Sequence, residues 1–152
     1  MMKKQKWSIG ALLKITLPDG WHCYAQMLPH ENCEMAFFDS RTKFDLLPSE
    51  IVKKQVLFRA AVHKSAYNDG RWIKIGKASI PDDLLEPRET FIEDLISGKF
   101  QIYKLGNIRP ATKEQCIGLE AAVVWEAPPI EERLTDHYAG RKCIWLDEFW
   151  RD

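Results

Sequence analysis

Alternating apolar and polar residues predict a strand pair near the start of the chain. Leu13, Ile15 and Leu17 alternate with polar residues, and Pro18-Asp19-Gly20 separates them from an apolar stretch at 21–28. Proline presets one backbone angle of a turn and glycine accepts a positive φ, so this segment favours a hairpin. Further strands are predicted at 34–39 and at 56–62, where a near-continuous apolar run is typical of a central strand.

The middle of the chain contains shorter sequence patterns that predict turns, a short helix and a loop. Asn68-Asp69-Gly70 predicts a second hairpin, or a loop of the same geometry, leading into a strand at 71–77. Ser49 is placed to cap a short helix that runs to residue 54. The segment 79–94 is rich in Pro, Asp and Glu and is interpreted as mostly loop, anchored by Phe91 and Ile92.

Strands are also expected at 100–105 and 121–125, with a short helix between them. Thr112 and Gln115 have the spacing of a capping box for that helix. A final helix is predicted to start near Pro129 and to end before Gly140.

Helical periodicity gives the final helix two faces. Ile130, Leu134 and Tyr138 form an apolar stripe at intervals of four residues. The charged residues Glu131, Glu132, Arg133 and Asp136 are expected to face away from this stripe and so to be free for a partner. The predicted partner-binding residues are these four and a neighbouring histidine: Glu131, Glu132, Arg133, Asp136 and His137.

Together these elements predict an α+β fold. We expect a single domain over residues 1–152, with a curled, mainly antiparallel β-sheet and a few short helices, including one near the C-terminus. A chain of 152 residues is long enough to bury a core, and 45 % hydrophobic residues supply it. No internal repeat or linker-like stretch divides the sequence.

Charge and hydropathy narrow the functional class. The formal net charge is zero, which argues against a general nucleic-acid binder. Basic residues nevertheless outnumber acidic ones by five up to Gly76, and the excess is reversed after it. With no signal-peptide pattern and no apolar run of about 20 residues, we expect a soluble, cytoplasmic protein that does not enter the membrane.

Candidate metal ligands and nucleophiles do not form a recognisable set. His22, Cys23, His30 and Cys33 lie close in sequence, but adjacent strand residues point to opposite faces, so His22 and Cys23 cannot easily share one ion. The four cysteines are expected to be reduced. No nucleophile elbow, zinc-protease or phosphate-loop motif occurs. The sequence therefore predicts no metal site and no enzymatic activity.

A series of short motifs is similar to the bacterial immunity protein 26 family, roughly over residues 7–145. The motifs are Leu17-Pro18-Asp19-Gly20, Val56-Leu57-Phe58-Arg59, Gly70-Arg71-Trp72 with Ile75-Gly76, Arg109-Pro110-Ala111-Thr112 with Cys116-x-Gly118-Leu119-Glu120, and Glu132-Arg133-Leu134-x-Asp136-His137-Tyr138-x-Gly140. The resemblance implies a protein of bacterial competition that binds and neutralises a cognate polymorphic toxin by protein–protein interaction, with no cofactor and no catalysis. A basic nuclease is one candidate for that toxin. The oligomeric state stays open.

An alternative from another class is a nucleic-acid-binding domain of β-barrel type. Trp7, Trp21, Tyr24 and Trp72 could stack on bases if they were exposed on one face. Alternation along the strands instead places most of these aromatic residues in the core.

Overall fold

The computed structural model describes residues 4–149, which form two mixed β-sheets and a few short helices, the α+β class predicted. The strands are β1 (Ala11–Thr16), β2 (His22–Met27), β3 (Glu34–Thr42), β4 (Val56–Val62), β5 (Ile73–Lys77), β6 (Thr90–Glu93), β7 (Phe100–Lys104), β8 (Asn107–Ala111), β9 (Glu120–Ala121) and β10 (Val124–Trp125). The helices are α1 (Pro48–Ile51), α2 (Lys113–Cys116), α3 (Ala127–Ala139) and α4 (Ile144–Phe149). Neither sheet closes on itself.

The larger sheet has the strand order β10-β4-β3-β2-β1-β5. The predicted hairpin is confirmed, since β1 pairs antiparallel with β2 and Gly20 takes a φ of 85° in the turn between them. Strands β2, β3 and β4 continue as an antiparallel meander, and β10 joins β4 in parallel. Register shifts interrupt the β1–β5, β2–β3 and β3–β4 pairings, and such bulges bend the strands.

Both faces of the larger sheet are covered. On one face α3 packs through Ile130 and Leu134 against a core that includes Phe37 and Trp72. On the other face Tyr24 and Phe38 form a second core with residues that include Ile51 of α1. Because successive residues of β1 to β4 enter opposite cores, these strands are apolar on both sides.

The predicted second hairpin is wrong. Strand β5 pairs with β1, not with β4, because β3 and β10 already occupy the two edges of β4. The Asn68-Asp69-Gly70 turn belongs to a compact loop that begins with a 3-10 turn at Lys64–Ala66. The backbone N–H of Trp72 donates to the Ala66 carbonyl at 2.9 Å. This bond helps to place the Trp72 side chain in the core just before β5.

The smaller sheet, β8-β7-β6-β9, corrects three expectations. Residues 90–93 of the supposed loop are strand β6, whose Phe91 is buried. Strand β8 follows β7 through a tight turn, where only β7 was expected. The single strand expected at 121–125 is divided into β9 and β10, since a turn at 121–123 carries the chain from the smaller sheet to the larger one.

The helix boundaries agree with the predictions in part. The Thr112–Gln115 capping box of α2 is confirmed. Ser49 is not the cap of α1, because the helix begins at Pro48 and the Glu50 carboxylate accepts a hydrogen bond from the Leu47 N–H. Helix α3 begins two residues earlier than expected, and α4 was not predicted.

Candidate functional site

Helix α3 carries the predicted partner-binding residues and is anchored by the predicted stripe. Ile130 and Leu134 are fully buried, and Tyr138 is half-buried against the same core. The expectation that Glu131 and Arg133 face away from the core is wrong, because only 9 % and 8 % of their surfaces are exposed. Both side chains have structural partners from other elements.

Glu131 is the hydrogen-bond acceptor for two neighbouring residues in the loop before β5. The Trp72 indole N–H donates to its Oε2 at 2.9 Å. Arg71 donates to both carboxylate oxygens, at 2.8 and 2.9 Å, and this pairing raises the pKa of the Arg71 guanidinium. Glu131 therefore fastens α3 to the loop that positions Trp72.

Arg133 fastens the other side of α3. Its guanidinium donates to both oxygens of Glu120 on β9, at 2.7 and 2.8 Å. It also lies over the ring of Phe58, 3.5 Å from the ring centroid, and 5.3 Å from that of Trp125. A planar cation suits both contacts, bidentate and stacked. Arg133 thus links the helix to both sheets.

Three predicted residues remain at the surface of α3. Glu132 is exposed and accepts a hydrogen bond from the Trp145 indole. Asp136 is partly exposed and pairs with Arg141 at 3.2 Å. His137 is exposed, with its ring edge-on to Tyr138. We call Glu132, Asp136 and His137 the outer face of α3.

An aromatic–arginine cluster continues this face toward the β1–β2 turn. It consists of Trp21, Arg41 and Tyr138: the guanidinium of Arg41 lies 3.9 Å from the Trp21 ring centroid and 6.0 Å from that of Tyr138. Asp19 accepts a hydrogen bond from the backbone N–H of Trp21 and pairs with Arg41 at 3.0 Å, and these two bonds lower the pKa of Asp19. Trp, Tyr and Arg are the residue types that dominate binding energy at interfaces. Sequence analysis did not bring these three residues together.

The burial of the aromatic residues weakens the nucleic-acid alternative. Tyr24 and Trp72 are fully buried, and Trp7 packs against the larger core beside Tyr67. Of the four aromatic residues considered for stacking on bases, Trp7 and Trp21 are partly exposed, and Arg41 covers the ring of Trp21. A shared stacking face is therefore not formed by these side chains.

Three of the four considered metal ligands have separate partners or environments. His22 contacts the Thr16 hydroxyl, and His30 Nε2 lies 2.7 Å from the Leu84 carbonyl oxygen. Cys23 is buried in the larger core, where desolvation raises the pKa of its thiol to about 12. Among the described residues no group of three or more His, Cys, Asp or Glu side chains could hold a metal ion.

We therefore expect the purified protein to contain no stoichiometric metal. A thiol that stays protonated at neutral pH is a poor ligand, and Cys23 faces the core. Elemental analysis of protein purified without chelator provides the measurement. One equivalent of zinc, whose removal by chelation also unfolds the protein, would contradict this expectation.

A cleft between the two sheets was not predicted from the sequence. It has a volume of about 460 Å³. One wall is a row across the smaller sheet, where Thr90, Tyr103 and Ile108 are register partners on β6, β7 and β8. The opposite wall includes Glu34 and Val124 from the larger sheet. We call this cavity the inter-sheet cleft.

Glu34 and Arg88 line the floor of the inter-sheet cleft and belong to a buried cluster of charges. Glu34, whose side chain is 4 % exposed, pairs with Arg59 and with Arg88. Arg88 also donates to the Arg59 carbonyl at 3.0 Å, and burial lowers the pKa of its guanidinium. The Thr90 hydroxyl is buried and has no hydrogen-bond partner among the described residues. Such an unpaired group is uncommon in a native fold.

The sequence does contain a signal for this wall of the cleft. Arg88, Thr90 and Ile92 line the cleft at intervals of two residues, while Phe91 points to the core of the smaller sheet. The alternation is hidden because it covers only four strand residues within a segment rich in Pro and Glu.

Comparison with known proteins gives one result for the family. A family model described as Immunity protein 26 matches residues 8–102, which cover strands β1 to β6 and most of β7. No curated protein and no solved structure gives a significant match. No helix in the described part of the chain is long and apolar enough to cross a membrane.

Proposed function

Because the chain belongs to the immunity protein 26 family, we propose that it protects its producer by binding and neutralising a cognate polymorphic toxin. The family match over 8–102 is the observation that carries this proposal. Neutralisation by this route is a non-catalytic, cytoplasmic function that needs no cofactor and no nucleic acid. Residues 1–152 act as one domain in this proposal.

The outer face of α3 supports the proposal as a first contact surface. Glu132 contacts Trp145, Asp136 contacts Arg141 and His137 contacts Tyr138, all of which lie in α3 or after it. Exposed acidic groups speed the encounter with a basic partner, and they do so mainly through the association rate. A basic nuclease would meet this requirement.

Neutralising this face is expected to slow association with the toxin. The variant Glu132→Gln with Asp136→Asn removes two negative charges without touching Glu131, which holds Trp72. We expect the association rate at low salt to fall about three- to ten-fold, with a flatter salt dependence, while the dissociation rate changes little. The measurement is binding kinetics against the toxin domain encoded beside this gene, at two salt concentrations.

A matched control removes the same charge elsewhere. Asp82 and Asp83 are exposed acidic residues in the 3-10 turn Asp82–Leu84, and Asp82→Asn with Asp83→Asn changes the net charge equally. If both variants slow association to the same extent, net charge alone is responsible and the outer face of α3 is not the contact surface. If the unmodified protein binds no such toxin, the proposed function itself fails.

A further inference from the structure

We infer that a strip of lysines at the rim of the larger sheet binds an acidic surface of the partner protein. We call it the basic strip, and its members lie on the edge strand β5 and in the segment before β1: Lys4, Lys6, Lys74 and Lys77. The inference rests on the proposed function and adds a second contact, opposite in charge to the outer face of α3. Two contacts of opposite charge fix the orientation of the partner, because the reversed arrangement would bring like charges together.

The register of β5 places two of these lysines on the same face of the sheet. Lys74 is the partner of Leu13 and Lys77 is the partner of Ala11, with a register shift between the two pairs. Leu13 and Ala11 both belong to the core that α3 covers. Directly opposite residues share a face, so both lysines lie on the α3 side of the sheet. In a regular strand, residues three apart point to opposite faces, and the bulge therefore brings the two charges to one side.

Gln5 holds the other two lysines beside this edge. Its side-chain Oε1 accepts a hydrogen bond from the backbone N–H of Lys74 at 2.9 Å, and its Nε2 donates to the Trp72 carbonyl at 2.6 Å. Lys4 and Lys6 are exposed and lie one residue before and after Gln5. Neighbouring Cα atoms are about 3.8 Å apart, so both lysines stay close to β5. Four positive charges thus gather at one rim of the molecule.

The charge of the basic strip is not neutralised from within the molecule. Among the described residues, no carboxylate lies within ion-pair distance of any of these four ammonium groups. Burial and the positive charge of Lys77 lower the pKa of Lys74, as expected where like charges lie close together. An acidic group from outside would relieve this repulsion. The strip also gives a place in the fold to the excess of basic residues found up to Gly76.

The acidic neighbour of the strip indicates that the binding partner is a protein. The ion pair of Arg71 with Glu131 joins the two surfaces, since Arg71 lies three residues before Lys74 and Glu131 directly precedes Glu132. A nucleic acid is negative along its whole length, so the outer face of α3 would repel it. A protein can present acidic groups to the strip and basic groups to the helix. Charge complementarity therefore favours a protein that carries both.

Removing two charges of the strip is expected to slow association with the toxin domain. In the variant Lys74→Gln with Lys77→Gln, we expect the association rate at low salt to fall about three- to ten-fold and its salt dependence to become flatter. The melting temperature should stay the same, because neither ammonium group has an ion-pair partner among the described residues. Lys74→Arg with Lys77→Arg keeps the charge and should associate as the unmodified protein does.

The matched control removes two lysines from the opposite face. Lys53 and Lys54 are exposed and follow α1, which packs on the other side of the larger sheet through Ile51. Lys53→Gln with Lys54→Gln changes the net charge equally and should leave the association rate unchanged. Equal slowing in both variants would make net charge responsible and overturn the inference, and so would an unchanged rate in both. Either result leaves the proposed function intact.

A probe that needs no toxin tests the chemistry of the strip. Capped hexaglutamate and hexaglutamine peptides differ only in their carboxylates and can be titrated at low salt into isotopically labelled protein by NMR. We expect the amide signals of 4–6 and 73–77 to shift with hexaglutamate alone, and Lys74→Gln with Lys77→Gln to reduce the shift. Equal shifts for both peptides, or none at these amides, would overturn the inference. Shifts at the strip in a protein that binds no toxin would support an acid-binding surface and contradict the proposed function.

Two further measurements test the other possible occupants of the strip. A short DNA duplex should shift the same amides less than hexaglutamate does, because the outer face of α3 repels it. A larger shift with the duplex would assign the strip to nucleic acid. Sedimentation at low salt tests a second copy of the chain. Self-association that is lost in Lys74→Gln with Lys77→Gln would assign the strip to that copy. Either of these two results would overturn the inference.

Discussion

Trp72→Ala is expected to lower the free energy of unfolding by about 3–5 kcal/mol, the cost of emptying a large buried site. Trp72 is fully buried and packs edge-on against Phe37, with 5.9 Å between ring centroids. Its indole N–H also binds the Glu131 carboxylate, so the substitution loosens the attachment of α3 as well. Binding of the toxin should be lost together with the fold.

Chemical denaturation followed by tryptophan fluorescence and circular dichroism measures this effect. Trp72→Phe keeps most of the buried ring and loses the indole N–H, so we expect a smaller loss of about 1–2 kcal/mol. Trp21→Ala is the control, because Trp21 is partly exposed and should contribute little to stability. A Trp72→Ala protein that keeps its melting temperature but no longer binds would make Trp72 an interface residue instead.

Local signals predicted those parts of the fold that neighbouring residues determine. The β1–β2 hairpin needs only alternation and a Pro-Asp-Gly turn, and the cap of α2 needs only Thr112 and Gln115. The pairing of β5 with β1 could not be read in this way, because it depends on which strand edges other segments leave open. The same holds for the inter-sheet cleft, whose walls come from residues as distant as Glu34 and Val124.

Glu131 and Arg133 show why the predicted site was only partly located. Helical spacing itself places Glu131 four residues after the buried Ala127 and Arg133 three residues after Ile130. We expected these two side chains to be exposed to solvent because they are charged. A charged side chain can nevertheless be buried where a partner of opposite charge neutralises it. The partners are Arg71 and Glu120, which lie 60 and 13 residues away in sequence. Glu132 and His137 are exposed, and Asp136 is partly exposed with 17 % of its side chain accessible, so these three stay as the predicted contact residues.

Glu34→Ala is expected to be the second strongly destabilising change, again by about 3–5 kcal/mol. Removing this carboxylate leaves Arg59 and Arg88 facing each other without a counter-charge, and both side chains are 17 % exposed. Two buried like charges cost more than the original pair contributed, because neither can be fully hydrated. Urea unfolding of the variant measures the loss.

Glu31→Ala is the matched control for this change. Glu31 is the same residue type three positions earlier, is exposed and accepts a hydrogen bond from the Tyr103 hydroxyl. Its removal should alter the free energy of unfolding by no more than about 0.5 kcal/mol. Adding Arg59→Met to Glu34→Ala should restore part of the lost stability, since one of the two unpaired cations is then gone. If Glu34→Ala is as mild as Glu31→Ala, Arg59 and Arg88 are hydrated well enough without the carboxylate, and Glu34 is not the counter-charge that keeps them in place.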